Sequence, residues 1–250
     1  MTVKVTFAGS GDAFGSGGRH STCILVEAPD ICFAIDFGTS SVIALKALEI
    51  PHNNIDVILL THLHGDHCGG VSSLLMDAML GAKRQTPITI AGPRGTKAHL
   101  PTVQEVLFPG SGGMKPKFAV DVIDMDVLTP HDIEGLRVTT YPAIHTEATN
   151  PTSMRIEVDG KTIAYTGDSA WTEHIPNVAR DADLFISECY FHEKRVPFHM
   201  NYPDLTEHAD ELTAKRTVLT HMGPEMLAAQ ERVKEECAFD GMVIELEDQA

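Results

Sequence analysis

Residues 61–69 read Thr61-His62-Leu63-His64-Gly65-Asp66-His67-Cys68-Gly69, with three histidines and an aspartate inside six positions. Imidazole nitrogens and a carboxylate are the donor set that a borderline-soft divalent ion such as zinc prefers. Holding four of them on one tight loop is costly unless a cation draws them together. The preceding run Asp56-Val57-Ile58-Leu59-Leu60 is short, apolar and branched, which predicts a buried strand. Gly65 gives the backbone freedom to turn at the strand's end. A metal-bearing loop at the mouth of a central strand is therefore expected.

Outward from this loop, alternating or branched apolar runs predict strands at 2–8, 21–27, 31–36, 56–60, 86–90, 118–123, 136–141, 153–158 and 161–165. Further strands are expected at 183–187, 216–220 and near 241–245. Helical periodicity marks 40–49, 70–80, 94–107, 203–213 and 224–237. Val158-Asp159-Gly160 is a hairpin signal. Strands joined partly by helices and partly by hairpins predict a mixed α/β sandwich with helices outside. The 250 residues show no boundary or fixed repeat, so one domain spanning 1–250 is expected. Residues 109–116 are the most loop-like stretch and a candidate mobile flap.

Composition narrows the setting. Hydrophobic residues make up 43% and charged residues 22%, as in ordinary globular chains, and no apolar run is long enough to cross a bilayer. Residues 1–7 enter a strand pattern with no secretory signal. Cys23, Cys32, Cys68, Cys189 and Cys237 are odd in number, lack Cys-x-x-Cys pairing and read as reduced packing residues of a cytoplasmic protein. The net charge of −16 argues against general attraction to nucleic acid. Against that background Lys83, Arg84, Arg94, Lys97, Lys115 and Lys117 face only Glu105 within 81–120. A solvated face is the plainer reading of this stretch, and a patch facing an anionic substrate the sharper one.

Four ligands on one loop do not complete two metal sites. His145, Asp168 and His221 each follow an apolar run and would be delivered by strands to one sheet edge. Together these residues resemble the metallo-β-lactamase superfamily, whose pattern is His-x-His-x-Asp-His followed by His, Asp and His in separate motifs. The resemblance covers nearly the whole chain, including Ala34-Ile35-Asp36-Phe37-Gly38 and Leu219-Thr220-His221-Met222. It implies an αββα sandwich with metals at one edge. It also implies one divalent ion on His62, His64 and His145, a second on Asp66, His67 and His221, and Asp168 bridging both. Asp36 would orient ligands from behind the loop. Zinc is the expected metal, with manganese an alternative. Two such ions roughly 3.5–4 Å apart can share a hydroxide with its pKa lowered to about 7. A structural zinc site would instead have four closed ligands.

Within the superfamily the chain looks most like the ribonuclease Z-like phosphodiesterases. Ala182-Asp183-Leu184-Phe185-Ile186-Ser187-Glu188-Cys189-Tyr190-Phe191 resembles that group's His-Glu-Ala-Thr motif, with Glu188 at the glutamate position. His199 resembles the histidine that works with this glutamate to protonate a leaving group. An imidazolium steadied by a carboxylate can supply that proton near neutral pH. Catalytic roles are thus expected for Asp66, Glu188 and His199.

Departures from the tRNA 3′-processing enzymes shift the expected substrate. Only 22 residues separate His145 from Asp168, where those enzymes carry a long arm that grips tRNA. Their Pro-x-Lys-x-Arg-Asn loop is replaced by Gly15-Ser16-Gly17-Gly18-Arg19-His20, which matches only at Arg19, and Ser187 replaces a histidine. A dinuclear-metal hydrolase acting on a small phosphodiester, through a metal-bridging hydroxide, is therefore expected. A cyclic nucleotide or a modified sugar phosphate is the kind of substrate anticipated. Carboxylic ester, lactone or thioester hydrolysis is the alternative, with tRNA 3′ processing and a non-enzymatic metal-binding scaffold behind it. The group commonly dimerises. His52, His99, His131, His174, His192 and His208 have no partner motif and read mostly as surface residues. His20 is singled out because its loop resembles one lining the family's pocket.

Overall fold

The structure is a computed structural model that describes residues 2–247. Strands alternate with helices in the order β1 (Val3–Gly9), β2 (Cys23–Ala28), β3 (Ile31–Ile35), α1 (Ser41–Ala47), β4 (Val57–Leu59), α2 (Gly65–Cys68), α3 (Gly70–Leu80), β5 (Ile88–Pro93), α4 (Thr96–Leu107) and β6 (Val120–Met125). The second half runs β7 (Pro130–Ile133), β8 (Leu136–Pro142), β9 (Thr152–Val158), β10 (Lys161–Tyr165), α5 (Ile175–Ala179), β11 (Leu184–Glu188), α6 (Tyr202–Glu207), β12 (Thr217–Thr220), α7 (Pro224–Ala229), β13 (Glu236–Cys237) and β14 (Met242–Leu246). Two seven-stranded sheets result, ordered β14-β1-β2-β3-β4-β5-β6 and β13-β12-β11-β10-β9-β8-β7.

The period-two alternation of the strands builds the layers. Val57 and Leu59 of β4 point into the core between the sheets, whereas Ile58 points outward to meet Leu45 of α1, Leu74 of α3 and Leu100 of α4. On the second sheet Leu184 and Ile186 of β11 face inward. Phe185 between them packs outward with Val178 of α5 and Met226 of α7. Both faces of each sheet are thus apolar and covered, which is the αββα sandwich of the metallo-β-lactamase fold.

Strands β3 to β6 pair in parallel, as do β10 to β13, with helices as crossovers. In such sheets the carboxyl ends of the strands open onto a common edge where ligands bind. Here that edge receives the loop after β4 and the turns after β10, β11 and β12.

Two expectations need correction. The periodicity over 224–237 does not form one helix: α7 stops at Ala229, a short 3-10 turn covers Gln230–Arg232, and β13 closes the sheet edge. The 203–213 helix likewise ends at Glu207 before a 3-10 turn at Ala209–Glu211. Among the described residues no helix is long and apolar enough to cross a membrane. All five cysteines are free, and burial pushes the thiols of Cys23, Cys32 and Cys68 up to about 12.

Candidate metal centre

The metal loop begins where β4 gives out. Leu60 N–H still donates to Ala91 O of β5 at 2.7 Å, but Thr61 N–H turns to the Asp36 carboxylate at 2.8 Å. The chain then makes the single turn α2, closed by Cys68 N–H to His64 O at 2.9 Å, which throws Asp66 and His67 toward the second sheet. This turn lies hard against Gly38: a Cβ there would sit 2.0 Å from Asp66 O. Only glycine admits such an approach.

Seven predicted residues converge. His62, His64 and His145 form one group of donor atoms, and Asp66, His67, Asp168 and His221 form another. His62 Nε2 and His145 Nε2 lie 3.1 Å and 3.0 Å from His64 Nδ1. In the second group His67 Nε2 lies 3.1 Å from Asp66 Oδ2 and 3.2 Å from Asp168 Oδ1. His221 Nε2 lies 3.3 Å from Asp66 Oδ2 and 3.5 Å from Asp168 Oδ2. Asp168 also reaches toward the first group, 4.0 Å from His62 Nε2 and 3.9 Å from His145 Nε2. It therefore stands between the two clusters.

The surrounding hydrogen bonds decide what these nitrogens can do. His145 Nδ1–H donates to Phe198 O at 2.7 Å, and His67 Nδ1–H donates to Asp36 Oδ2 at 2.7 Å. Thr61 Oγ1 gives its proton to Asp36, which leaves it to accept from His62 Nδ1–H at 3.1 Å. With their protons held outward, the Nε2 atoms of His62, His67 and His145 present lone pairs inward. In the first group three nitrogens converge while at most one proton, on His64, could serve them. In the second, His67 Nε2 and Asp168 Oδ1 are buried and lack any hydrogen-bond partner. Burial and the neighbouring imidazoles hold His62 and His64 below the ordinary histidine range, as neutral donors. Inward lone pairs and a buried carboxylate oxygen without a donor, Asp168 Oδ1, are the arrangement that divalent cations satisfy, so the residues fit the expected metals.

A second carboxylate, Glu188 at the end of β11, backs the cluster. It is fully buried and accepts Ser169 N–H at 3.0 Å and Met200 N–H at 3.1 Å through Oε2. Its Oε1 accepts from His199 Nδ1 and lies 3.5 Å from His221 Nδ1. Burial opposes protonation of His199, yet the bond to Glu188 prevails and raises its pKa. The His199 ring stacks against Tyr190, centroids 5.0 Å apart, and meets His145 edge-on at 4.9 Å. Asp36, Phe198 and His221 all hold positive φ, of 57°, 70° and 54°. Each such position costs on the order of 1–3 kcal/mol and is typical of functional sites.

The pocket above the cluster encloses about 340 Å3 and is lined by His64, Asp66, His145, Asp168, His199 and His221, with Ala13, Phe14, Gly65, Thr146 and Tyr190. Phe14 and Tyr190 were not legible as site residues: nothing in an isolated aromatic marks it for a pocket. The basic stretch is elsewhere, for none of its six cations lines this pocket. Arg84 is buried and donates to Thr86 O, Ile55 O and Pro87 O, while Arg94 pairs with Asp126. The 109–116 loop is also remote. It is fastened to α4 through Glu105, which accepts Gly110 N–H and Gly112 N–H at 2.8 Å each. His20 does not line the pocket, and its N–H donates to Asp240. Arg19 is held by Ala238 O at 2.6 Å. His52 departs from the surface reading: it is buried and bonded to Asp77 at 2.6 Å.

Comparison with known proteins agrees with this geometry. The ribonuclease Z of Saccharolobus islandicus is 23% identical over 280 residues, covering 93% of this chain and 92% of that protein. The ribonuclease Z of Alkaliphilus oremlandii is 32% identical over 93 residues, covering 37% of this chain and only 29% of that protein. The crystal structure of the metallo-β-lactamase fold protein YhfI from Bacillus subtilis matches with a TM-score of 0.77 at 23% identity, over 98% of this chain and 100% of that one. The family model described as anti-Pycsar protein Apyc1 matches residues 3–240. The chain belongs to the anti-Pycsar protein Apyc1 family, within the ribonuclease Z-like branch of the metallo-β-lactamase fold hydrolases, which depend on divalent metals.

Proposed function

We propose that the chain is a dinuclear-metal phosphodiesterase acting on a small phosphodiester, a cyclic nucleotide or a modified sugar phosphate. His62, His64 and His145 would hold one ion and Asp66, His67 and His221 the other, with Asp168 shared. When bound, zinc or manganese would supply Lewis acidity, lower the pKa of a water and offset phosphate charge. That offset matters here, because no lysine or arginine lines the pocket.

The observation that carries the reading is the Glu188–His199 pair. With Nδ1 bonded to a buried carboxylate, His199 has its Nε2 left to donate to the alkoxide that departs from phosphorus. Tyr190 packs on the face of the imidazole and fixes its plane. Asp66, which lines the pocket, would accept a proton from the attacking water. Asp36 and Glu188 hold His67 and His199 from behind, and neither needs to touch substrate.

A small substrate suits the site better than a tRNA. The residues between His145 and Asp168 fold into the β9–β10 hairpin, turning at Asp159 and Gly160, and form no projecting arm. Turnover of bis-p-nitrophenyl phosphate, a lactone and a thioester by the same metal-loaded protein tests the reading. Phosphodiester turnover well above the other two supports it, and lactone or thioester preference replaces it with carbonyl hydrolysis.

A further inference from the structure

The cations of residues 81–120 take no part in the metal pocket, yet three of them gather at one place. Lys83, Lys115 and Lys117 are exposed and line a pocket of about 240 Å3 together with the apolar Met79, Met114 and Phe118. None of the three lysines has an ion-pair partner among the described residues. In a chain of net charge −16 this is a local site of positive potential, and it favours an anion.

A second cavity, of about 170 Å3, adjoins the first and shares Met79, Met114 and Pro116 with it. It arises because β6 is the last strand of its sheet. Val120 and Val122 of β6 turn toward the helices but stay only partly buried. Leu75 of α3 and Leu100 of α4 line the same space, so its surface is largely aliphatic. The 109–116 loop, fastened by Glu105, adds Ser111 and Gly112 to the lining.

One polar group in this aliphatic cavity is unmet. Gln104 is 7% exposed, and its Nε2 donates to Ser111 Oγ at 3.1 Å. Ser111 Oγ gives its own proton to Phe108 O at 2.5 Å, which fixes the amide with Oε1 as the free acceptor. That oxygen is buried and has no hydrogen-bond partner. A buried acceptor left so is costly, and a hydroxyl on a bound molecule would satisfy it. Gln104 lines the aliphatic cavity and not the cationic one, so the hydroxyl belongs far from the anionic end.

We propose that the two cavities together bind a single-chain aliphatic carboxylate. Its head lies among Lys83, Lys115 and Lys117, its chain lies between α3, α4 and β6, and a hydroxyl toward its tail meets Gln104. The site shares no residue with the pocket over the metal centre, so it stands or falls apart from the phosphodiesterase reading.

Calorimetric titration of the metal-loaded protein with decanoate, 10-hydroxydecanoate and decyltrimethylammonium tests this. Both carboxylates should bind and the ammonium should not. The hydroxyl should improve affinity about 2- to 12-fold, as one net hydrogen bond does, and Gln104→Leu should erase that advantage. Reversing charge at Lys83→Glu, Lys115→Glu and Lys117→Glu together should weaken both carboxylates about tenfold and flatten their salt dependence. Leu75→Trp should fill the cavity and block both. Unchanged metal content and unfolding midpoint show that the variants fold. Equal binding of carboxylate and ammonium would overturn the proposal. So would carboxylate binding that survives the lysine reversals, which would place the ligand at the metals instead. A hydroxyl advantage that persists in Gln104→Leu would overturn the assigned orientation. No carboxylate binding, with a changed oligomeric state in Leu75→Trp, would give this face to a second copy of the chain.

Discussion

Asp36 accepts a hydrogen bond from His67 at 2.7 Å, and both residues are wholly buried. The carboxylate fixes which nitrogen of His67 carries the proton, and so aims the Nε2 lone pair at the cluster. Asp36 holds this place with φ at 57°, anchored by Thr61 N–H and the Thr61 hydroxyl. Asp36→Ala should therefore weaken metal binding by about 10- to 100-fold without touching the pocket. Competition against a chelator of known affinity measures this. Unchanged affinity would remove Asp36 from the site's support.

Asp168 stands between the two groups of candidate ligands, within 4.0 Å of nitrogen atoms in both. Asp168→Ala should lower the metal content of the purified protein and abolish turnover. Elemental analysis beside a rate assay checks both. Full turnover in this variant would sink the proposed dinuclear arrangement.

His199 should matter in proportion to how badly the leaving group needs a proton. His199→Ala is expected to slow an alkyl phosphodiester by about 10²–10⁴-fold. A nitrophenyl ester, whose leaving group is a weak base, should lose far less. Equal losses on the two substrates would take His199 out of the acid role, and Glu188→Gln should follow the same split.

Gly38 is where the fold and the centre meet most tightly. A Cβ at that position would lie 2.0 Å from Asp66 O and 2.5 Å from the Ser21 side chain. Gly38→Ala should cost about 1–3 kcal/mol of stability, as forced overpacking does, and displace the ligand turn. Denaturant unfolding and metal content should fall together. A variant as stable as the parent would show that the loop gives way without strain.

Away from the metals, the hydrogen bond from His52 and the ion pair with Lys46 lower the pKa of Asp77. A depressed carboxylate contributes stability above its unfolded pKa of about 3.9, and that contribution is lost as pH falls through the folded value. The Asp77 side chain is 25% exposed and its Lys46 partner 58%, so solvent screening limits the effect to less than about 1 kcal/mol. Asp77→Ala should be less stable than the parent at pH 7, with the gap closing below pH 4. A gap that widens in acid would contradict the assignment.

The sandwich and the residues of the candidate metal centre were legible because each leaves a local signature. Val57-Ile58-Leu59 is apolar at every position, as a strand covered on both faces must be, and the ligand loop is contiguous. Strand β7 was not legible, since Pro130-His131-Asp132-Ile133 is an edge strand with one buried residue and no alternation to read. Strand β13 was masked by the apparent helical period of 224–237, and only pairing with β12 holds its two residues extended. Phe14 illustrates a further limit. Its place depends on Asp12 and on how the first loop folds across the sheet edge, and no spacing rule encodes that.

The decisive measurement is hydrolysis of bis-p-nitrophenyl phosphate and of a 3′,5′-cyclic nucleotide, beside a lactone and a thioester, by protein whose metal content has been determined on the same sample. About two divalent ions per chain, with turnover of the phosphodiesters and little of the other two, is the expected result. Two ions with only lactone or thioester cleavage would contradict the phosphodiesterase proposal while leaving the fold and the ligands intact.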